Sequence, residues 1–457
     1  MSDAFFGTDG IRDVAGEGRL TPGNVRRIGR AVAAFAKARL RPSPRVIVGR
    51  DPRPSGPAIL AALAEGMAAE GVAVEDGGVL PTPAVAWFTV EGGADLGIAI
   101  TASHNPPEDN GIKVLLPGGL KTSPADEADL EARIAAAPPT GAPAQVRARP
   151  DAVDRYVAAA VVRVSAGGPL KGLRLVVDCA NGATTRTATR ILTALGADVK
   201  TPVGSDPDGA INDGCGTQHP DAWRAAVRAA AAHGGLAFDG DGDRVLLCDE
   251  TGEVLDGDPV LHLLATDLDA AGALPGRRVV ATVMSNFGLE EALAARGIAL
   301  DRAPVGDRHV AARMRATGAA LGGEQSGHVL LAWGGALLGD GVVAGVAALQ
   351  AARRRRVPLS RCRAEVARYP QVLRNVRMAE RVPLEGSAGF QAALRAEERG
   401  LAGTGRVVVR YSGTEPLLRI MVEGKDAAAV EAATGRLERA ARDLLVPTAR
   451  PVSPPAS

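Results

Sequence analysis

Three stretches of this chain repeat one order of apolar runs and polar loops, and this repetition limits the possible folds more than any other feature. In each stretch a third short apolar run ends directly in a polar loop, and alanine-rich segments separate the runs. The third apolar run of the first stretch is 96–100, and the loop 101–107 follows it. In the second stretch the run 236–238 is followed by the loop 239–244, and in the third stretch the run 319–321 is followed by the loop 322–328. Strands that alternate with helical segments form parallel sheets with right-handed crossovers. The pattern therefore predicts three related α/β units, and the alternative is coincidence in an alanine-rich chain.

The three loops, which we call the serine loop (101–107), the acidic loop (239–244) and the histidine loop (322–328), occupy equivalent strand ends. Ligands of parallel α/β sheets bind at the carboxyl ends of strands, so three such units around one crevice would bring these loops together. Residues 406–410 and 417–423 read instead as two strands around a turn. They predict a fourth, smaller α+β domain.

Composition excludes several classes of protein. The chain has 457 residues, and 46% of them are apolar, which suffices for two to four buried cores. With 53 basic and 52 acidic side chains, the formal net charge is +1. This charge gives no electrostatic reason to expect binding to nucleic acid or to an anionic membrane. The longest apolar runs fall short of the roughly 20 residues of a membrane helix. The four cysteines lack C-x-x-C spacing and no secretory signal precedes them, so we expect a reducing cytoplasm.

The serine loop presents a candidate nucleophile. Ser103 stands beside His104 directly after a buried strand, and Pro106 and Pro107 prevent a helix from continuing into the site. Taken alone, a Ser-His pair in this position is more often an ordinary polar turn than a catalytic pair. The functional interpretation of Ser103 and His104 therefore depends on the acidic and histidine loops.

The acidic loop is best interpreted as a metal site. Asp239, Asp241 and Asp243 alternate with glycines, whose flexibility allows the chain to bend and bring the carboxylates together. Carboxylates this close raise one another's pKa unless a divalent cation neutralises them. The rival interpretation is a calcium EF-hand, but Arg244 occupies the position where that loop requires glycine. Magnesium fits better, because it takes few protein carboxylates and completes its shell with water and phosphate oxygens.

A phosphate site is expected at the turn between the two C-terminal strands, which we call the arginine turn (410–419). Two guanidiniums, two hydroxyls and several backbone amides surround it, from Arg410, Ser412, Gly413, Thr414 and Arg419. Arginine binds phosphate in a fork, and successive amides form an anion nest. The alternative is a plain hairpin whose arginines face water.

The remaining candidates are polar side chains near the predicted crevice. Glu324, Ser326 and His328 of the histidine loop match the hydroxyl or amino groups of a sugar. Arg12 and Lys113 are cations that could face the nucleophile and hold a phosphoryl oxygen. The alternative for these two is an unremarkable surface charge.

Five motifs together resemble one family, the α-D-phosphohexomutases. They are FGTDGIR at 6–12, TASHNP at 101–106, DGDGDR at 239–244, GEQSGH at 323–328 and RYSGTEP at 410–416. The resemblance runs nearly end to end. It implies three related α/β domains with mixed, largely parallel sheets around a central cleft, plus a smaller C-terminal α+β domain that closes over the cleft. We expect domains at 1–150, 151–255, 256–367 and 368–446, and a disordered tail at 447–457.

The resemblance also implies a reaction. Ser103 is carried as phosphoserine, and its phosphoryl group passes to the free hydroxyl of a hexose monophosphate. The remaining roles implied are Mg²⁺ binding by Asp239, Asp241, Asp243 and a phosphoserine oxygen, sugar contacts by Glu324 and Ser326, phosphate binding by Arg410, Ser412, Gly413, Thr414 and Arg419, and catalysis by Arg12, His104, Lys113 and His328.

Within the family the sequence is most similar to the glucosamine branch, on the basis of Gln325 and the segments 284–290 and 305–308. This branch implies interconversion of glucosamine 6-phosphate and glucosamine 1-phosphate for amino-sugar nucleotide and cell-wall synthesis. Departures at Pro107, 114–115 and 216–219 leave mannose or glucose phosphates as the alternative. An idle sugar-phosphate-binding protein is a third interpretation, which the presence of every motif disfavours. A homodimer is an expectation that the sequence does not test.

Overall fold

The structure is a computed structural model, and it describes residues 4–7, 9–333, 336–378, 381–412 and 416–445. The described residues pack into two compact units. Unit 1 contains the chain up to residue 284 together with 296–365, and unit 2 contains 285–295 and the chain from residue 366 onward. In the part of the chain that the structure describes, no helix combines the length and the apolar character needed to cross a bilayer. The tail expected at 447–457 lies outside the described residues.

Unit 1 begins with an eight-stranded sheet, sheet 1, with the order β1-β2-β6-β5-β3-β4-β8 and with β7 paired to β6. Its strands are β1 (Phe6–Gly7), β2 (Gly10–Val14), β3 (Val46–Arg50), β4 (Val74–Val79), β5 (Leu96–Ile100), β6 (Asp109–Leu116), β7 (Leu120–Lys121) and β8 (Val146–Ala148). The helices of this part of the chain are α1 (Pro22–Arg39), α2 (Gly56–Ala69), α3 (Thr82–Trp87), α4 (Pro124–Ala136) and α5 (Ala152–Ser165), with short helical turns at Gly18–Leu20 and Phe88–Gly92. Every residue of β5 is buried, as expected of a central parallel strand.

Sheet 2 has five strands in the order β10-β9-β11-β12-β13. They are β9 (Arg174–Asp178), β10 (Asp198–Lys200), β11 (Gly234–Phe238), β12 (Val245–Asp249) and β13 (Val254–Leu255). Helices α6 (Ala188–Ala194) and α7 (Pro220–Ala229) and a helical turn at Ala183–Arg186 connect them. The regular strand β12 directly after the acidic loop leaves no room for the exiting helix of an EF-hand.

Sheet 3 has the order β15-β14-β16-β17-β18. Its strands are β14 (Arg278–Thr282), β15 (Ala299–Ala303), β16 (Leu321–Gly323), β17 (Val329–Trp333) and β18 (Ala336–Gly339). The helices in this part of the chain are α8 (Gly257–Ala270), α9 (Phe287–Ala294), α10 (Asp307–Thr317), α11 (Gly341–Arg355) and α12 (Leu359–Ala364), with a helical turn at Pro275–Arg277. Helix α9 belongs to unit 2 although β14 and β15, on either side of it in sequence, belong to unit 1.

The three sheets share one topology, which confirms the predicted relation between the three stretches. In sheets 2 and 3 the first three strands are parallel, the first lies between the second and the third, and a fourth and fifth strand follow antiparallel. In sheet 1 the same order is formed by β3 to β7, and the antiparallel strands β1 and β2 are added to it. The serine, acidic and histidine loops each connect the third of these five strands to the fourth, and β16 extends to Gly323, two residues beyond the strand end expected at residue 321. We call the three parts of unit 1 built on these sheets domains 1, 2 and 3.

Unit 2 is built on a three-stranded antiparallel sheet in the order β19-β21-β20, as predicted for a smaller α+β domain. Its elements are β19 (Gln371–Arg377), α13 (Ala388–Gly400), β20 (Gly405–Tyr411), β21 (Leu417–Gly424) and α14 (Ala427–Leu445), with a helical turn at Leu384–Gly386. Its own core includes Phe390, Ile420 and Leu437, all of which are fully buried. Asn286, just before α9, ties that helix into the unit because its side-chain amide donates to the Tyr369 carbonyl and to Glu423 Oε2, each at 3.1 Å.

Candidate active site

The three third-strand loops of unit 1 meet at one place. Ser103 Oγ of the serine loop donates a hydrogen bond of 2.6 Å to Asp239 Oδ2 of the acidic loop. The acidic and histidine loops are joined by an antiparallel bridge between Arg244 and His328. Residues more than 100 positions apart in sequence therefore form one polar cluster, as the topology predicted.

Ser103 is held in an unusual backbone conformation. Its φ is 55°, in the left-handed region that residues other than glycine rarely adopt. Thr101 Oγ1 accepts from the Ser103 amide at 2.8 Å, and the side chains of Arg53 and Asn212 donate to its carbonyl at 3.1 and 2.9 Å. Gly240 packs so closely that a Cβ there would lie 2.5 Å from the same carbonyl oxygen. The surrounding contacts thus over-determine the position of the serine.

The three carboxylates of the acidic loop are buried together. Asp239, Asp241 and Asp243 are at most 3% exposed. Burial and the neighbouring negative charges of Asp243 and Asp241 raise the pKa of Asp239 well above its usual range. Burial also opposes ionisation of Asp243, but Lys113 and further electrostatic interactions with neighbouring basic residues outweigh it and lower the pKa of that carboxyl. Such a cluster is costly unless cations neutralise it.

The cluster fits a divalent cation. One oxygen from each of Asp239, Asp241 and Asp243 lies within 4.8 Å of the others, close enough to serve one ion. Asp241 Oδ1 and Asp243 Oδ1 are buried and find no hydrogen-bond partner among the described residues. Hard oxygen ligands with unused lone pairs are what Mg²⁺ and Ca²⁺ bind.

Two cations border the cluster from domain 1. Lys113 Nζ lies 2.8 Å from Asp241 Oδ2 and 3.3 Å from Asp243 Oδ2. Burial disfavours its charge, but Asp241 and Asp243 outweigh burial and raise its pKa well above the usual value. Arg12 donates to Asp9 Oδ2 at 2.7 Å and to Asn105 Oδ1 at 3.3 Å, so it reaches the serine loop. Lys113 therefore stays protonated at neutral pH, which favours an electrostatic role over proton transfer.

His104 is neutral in this environment. Burial, followed by the positive charges of Arg244 and Arg12, lowers its pKa to about 4. Its Nδ1 lies 3.4 Å from Ser103 Oγ and 3.3 Å from Arg244 Nη1, which can only donate. The ring nitrogen next to the serine is therefore an acceptor, and the lowered pKa keeps the imidazole unprotonated at neutral pH.

A chain of ion pairs continues from this cluster into domain 3. Lys121 Nζ lies 2.5 Å from Asp9 Oδ1 and 2.8 Å from Asp307 Oδ2. Asp307 Oδ2 in turn lies 3.6 Å from His328 Nε2, and His328 Nδ1 lies 3.8 Å from Asp243 Oδ1. His328 is thus held between the acidic loop and a buried lysine-aspartate pair.

The other two candidates of the histidine loop differ in exposure. Glu324 is largely buried, and its Oε1 accepts from the Gly306 amide at 2.9 Å. Ser326 at the tip of the loop is exposed. Both lie on the loop that carries His328, so Glu324 and Ser326 remain candidates for contacting a ligand.

The arginine turn belongs to unit 2. Arg410 on β20 and Arg419 on β21 are direct cross-strand partners, so their side chains leave the same face of the sheet. Burial and the neighbouring charge of Arg419 lower the pKa of Arg410. Ser412 is buried, while the predicted Gly413 and Thr414 lie outside the described residues. Two opposed guanidiniums are a natural place for an anion such as phosphate.

Sequence reasoning missed several residues of the site. Asp9 stood inside a motif and Arg53 lies just after a strand end, so a local signal existed for both. Thr82, whose hydroxyl donates to Asp241 Oδ2 at 2.6 Å, follows the end of β4, but the sequence did not predict a strand end there. Lys121 gave no such signal. Asn212 lies in an irregular segment far from any strand end. These three enter the site only through tertiary packing.

Comparison with protein families gives four consecutive matches along the chain. The models are those of the phosphoglucomutase/phosphomannomutase alpha/beta/alpha domains I, II and III and the C-terminal domain, and they match residues 3–140, 154–252, 256–369 and 373–439. The chain belongs to the phosphoglucomutase/phosphomannomutase family. For this family member, the acidic loop indicates a divalent metal site at Asp239, Asp241 and Asp243.

Several relatives are similar in sequence to this family member over nearly the whole length of both proteins. A phosphoglucosamine mutase of Symbiobacterium thermophilum is 45% identical over 436 residues, covering 93% of this chain and 96% of the relative. A phosphoglucosamine mutase of Moorella thermoacetica is 45% identical over 448 residues, covering 96% and 99%. The crystal structure of a phosphoglucomutase/phosphomannomutase family protein from Burkholderia thailandensis has 28% identity and a TM-score of 0.80, covering 97% and 98%.

Proposed function

We propose that the protein is a phosphoglucosamine mutase, an isomerase that interconverts glucosamine 6-phosphate and glucosamine 1-phosphate. The observation that carries the proposal is the contact of Ser103 Oγ with Asp239 Oδ2 at 2.6 Å, inside a buried acidic cluster. Relatives at 45% identity over nearly the whole chain bear the name of this enzyme. Their names supply the substrate, and the geometry supports the chemistry.

In the proposed reaction Ser103 is the phosphoryl carrier. Phosphoserine passes its phosphoryl group to the free hydroxyl of the hexosamine monophosphate, so the bond from Oγ to phosphorus breaks and a bond from phosphorus to the sugar oxygen forms. The sugar hydroxyl loses one proton and Ser103 gains one. The hexosamine 1,6-bisphosphate then turns over and returns its other phosphoryl group to Ser103 by the reverse exchange.

We assign the metal as Mg²⁺, held by Asp239, Asp241 and Asp243 together with an oxygen of phosphorylated Ser103. When bound, this ion would neutralise charge on the transferring phosphoryl group. Asp239 and Thr82 support the arrangement from two sides, because Asp239 receives the serine hydroxyl and the Thr82 hydroxyl donates to Asp241 Oδ2 at 2.6 Å. The chain itself therefore aims the serine at the acidic loop.

The nearby cations and imidazoles divide the remaining work. Lys113 and Arg12 offset negative charge on the phosphoryl oxygens, since phosphoryl transfer is catalysed mainly by positioning and charge neutralisation. His104 next to Ser103 and His328 near Asp243 are the candidates for moving protons. We favour His104 for the serine side because its acceptor nitrogen already faces Oγ.

Substrate recognition is assigned to two loops. Glu324 and Ser326 contact the sugar, and a carboxylate at position 324 suits the ammonium group of glucosamine. The arginine turn grips the phosphate that does not react, through Arg410, Ser412, Gly413, Thr414 and Arg419. This assignment rests on the opposed guanidiniums of Arg410 and Arg419 and on the resemblance of the motif.

We place the enzyme in the cytoplasm. The reaction that it would catalyse there is a step of amino-sugar nucleotide synthesis. All four cysteines are buried free thiols, which suits a reducing compartment. A homodimer stays a prediction, and a measurement of molecular mass in solution would test it. Domain limits at 150, 255 and 367 likewise stay predictions that the family matches support.

The decisive experiment compares kcat/KM for the 6-phosphates of glucosamine, mannose and glucose, with Mg²⁺ and catalytic hexose bisphosphate. A clear preference for the glucosamine substrate is expected. A preference for mannose or glucose 6-phosphate would keep the mechanism but assign the protein to another branch of the family, which the departures at Pro107 and 216–219 leave open.

The mechanism has a separate test. Ser103→Ala should abolish turnover while the thermal unfolding profile stays that of the wild type, and chelation of divalent metal should stop the wild-type enzyme reversibly. Activity of Ser103→Ala near the wild-type level would exclude the phosphoserine mechanism. Full activity in excess chelator would remove the three aspartates from the metal role.

A further inference from the structure

Two carbonyl groups of the serine loop receive a saturated set of hydrogen bonds. Arg53 Nη2 donates to the carbonyl oxygens of Ser103 and Asn105 at 3.1 and 2.8 Å. Asn212 Nδ2 donates to the same two oxygens at 2.9 Å each. Each NH₂ group has two hydrogens and each carbonyl oxygen has two lone pairs, so four hydrogens meet four lone pairs. We call this arrangement the carbonyl clamp.

The half of the carbonyl clamp contributed by Arg53 is internal to domain 1. Its remaining donors bond to Asp51 Oδ2 at 3.0 Å, to the Asp109 carbonyl at 2.8 Å and to the Pro106 carbonyl. All five N–H groups of the guanidinium are therefore used within the domain. Arg53 therefore fixes the shape of the serine loop but does not link that loop to domain 2.

The other half comes from domain 2. Asn212 is only 8% exposed, and its backbone amide donates to the Ala180 carbonyl at 2.9 Å. Its φ is 60°, a conformation that asparagine tolerates better than most residues. The acidic loop lies in the same domain. Domain 2 therefore holds the serine loop at two points, with Asn212 on the backbone and Asp239 on the hydroxyl.

We propose that Asn212 is a positioning residue for the phosphoryl carrier, because its amide sets the orientation of Ser103 toward the acidic loop. The inference rests on the proposed function. Asn212 bonds to the backbone of the loop and acts through Ser103. Its removal should leave the binding of sugar and distal phosphate intact and slow the transfer, since small displacements of reacting groups cost large factors in rate.

The expected effect is a split between the two kinetic constants. Asn212→Ala should lower kcat by about 10- to 100-fold, the scale expected for a displacement of about 1 Å, and change KM by less than about two-fold. Asn212→Asp should lower kcat further, because a carboxylate would face two carbonyl oxygens. Asn212→Gly separates backbone from side chain, since glycine suits the positive φ but provides no donor. It should be as slow as Asn212→Ala.

Asn181 provides a matched control. It is also an asparagine of domain 2 with a positive φ, 49°, and its side-chain amide donates to the Ala210 carbonyl at 3.0 Å instead of to the serine loop. Its Oδ1 also accepts from the Asp206 amide at 3.0 Å. Asn181→Ala therefore removes the same kind of side chain from a similar backbone conformation, while both donors of the carbonyl clamp stay in place. Its kcat should stay within about two-fold of the wild type, because the reacting groups are not displaced.

A second readout does not depend on turnover. In Asn212→Ala and Asn212→Gly, the ³¹P resonance of phosphorylated Ser103 should shift or broaden relative to the wild type, and it should not change in Asn181→Ala. If Asn212→Ala does not fold, Asn212→Gly takes its place. Wild-type kcat and an unchanged ³¹P resonance in the folded Asn212 variants would overturn the positioning role.

Wild type and Ser103→Ala, measured in the same assay, distinguish a failure of the proposed function from a failure of the positioning role of Asn212. If wild type turns over glucosamine phosphate and Ser103→Ala does not, a normal kcat in Asn212→Gly contradicts the positioning role alone. If Ser103→Ala remains active, the proposed mechanism fails and the inference fails with it. If KM rises as much as kcat falls in Asn212→Ala, the residue acts on binding and the positioning role is wrong.

Discussion

At the scale of single residues, Ser103 shows how hydrogen bonds hold a strained backbone conformation in the site. A left-handed backbone costs a residue other than glycine roughly 1–2 kcal/mol. The amide, carbonyl and hydroxyl of Ser103 are all hydrogen-bonded, to Thr101, to Arg53 and Asn212, and to Asp239. These bonds offset the cost. Strained residues that persist in this way cluster at functional sites.

Gly339 leads to a prediction about His328. Gly339 ends strand β18, and a Cβ at this position would overlap His328 Nε2. Gly339→Ala should therefore push the imidazole away from Asp307 and Asp243. The end of a side chain can move at small cost, so we expect little change in stability. We expect kcat to fall by about 100-fold, the lower end of the range that general acid-base catalysis contributes.

The matched control for this substitution is Gly386→Ala in unit 2, where a Cβ has open space within 4 Å. Both steady-state constants of the control should equal those of the wild type. Unchanged kcat in Gly339→Ala would show that the position of His328 does not matter for turnover.

The cysteines allow a prediction about reactivity. Burial raises the pKa of Cys179 to about 11 and of Cys215 and Cys248 to about 12, and it also raises the pKa of Cys362. Because the thiolate is the reactive form, native protein should react very slowly with a thiol reagent at neutral pH. All four should react once the protein is unfolded in denaturant. Rapid labelling of the native protein, located by mass spectrometry, would contradict this.

At the scale of elements, the start of helix α4 has a complete set of capping bonds. The Ser123 hydroxyl accepts from the Asp126 amide at 3.2 Å, and the Asp126 carboxylate accepts from the Ser123 amide at 3.0 Å. Together they form a capping box just after β7. The helix also carries Glu127, which binds Arg308 of domain 3. The cap thus fixes one side of the contact between domains 1 and 3.

Ser123→Ala removes one half of this capping box. It should lower the free energy of unfolding by about 1 kcal/mol, with little change in kcat. Denaturant titration measures the effect, and the exposed Ser43, replaced in the same way, serves as the control. A loss of activity without a loss of stability would mean that Ser123 contacts the reacting groups, contrary to this assignment.

At the scale of the whole molecule, two ion pairs cross the contact between domains 1 and 3. Arg308 Nη1 lies 3.0 Å from both carboxylate oxygens of Glu127, and the two side chains are 22% and 15% exposed. Lys121 and Asp307 form a second pair across the same boundary at 2.8 Å. Partial burial protects such pairs from screening by salt, so they count for more than surface pairs.

A charge exchange tests the first of these pairs. Arg308→Glu should lower stability and activity, and adding Glu127→Arg should restore much of both, with a coupling energy of about 1–3 kcal/mol. The control is the exchange of Arg190 and Asp154, whose side chains are 49% and 72% exposed. That coupling should be about 0–1 kcal/mol. Equal coupling energies for the two pairs would show that the Arg308 contact is only a surface ion pair.

Unit 2 shows that order along the chain and spatial grouping can differ. The third family match covers 256–369, yet residues 285–295 pack with the C-terminal unit. Asn286 explains part of this, because its side chain bonds to Tyr369 and Glu423, as described above, and its Oδ1 accepts from the Tyr369 amide at 3.1 Å. A strand-end loop of the third stretch thus became an anchor for a helix of unit 2.

Much of the fold could be predicted from the sequence because its signals are local. Apolar runs, alanine-rich segments and glycine or proline turns depend on near neighbours, and they identified the three third strands and the loops that follow them. The strand-end positions of Ser103, the three aspartates and the histidine loop could be predicted for the same reason. Each lies within a few residues of a strand end, where α/β proteins bind ligands.

By itself, then, the sequence determined the three related α/β units, the smaller fourth domain and the strand-end loops that carry the candidate site residues. Tertiary structure alone decided that Asn212 clamps the carbonyls of the serine loop, that Lys121 links Asp9 to Asp307, and that 285–295 joins unit 2. The physical reason is that burial and pairing depend on which distant segments meet. A hydrogen bond spanning 109 positions, as between Asn212 and Ser103, leaves no periodic trace in the chain.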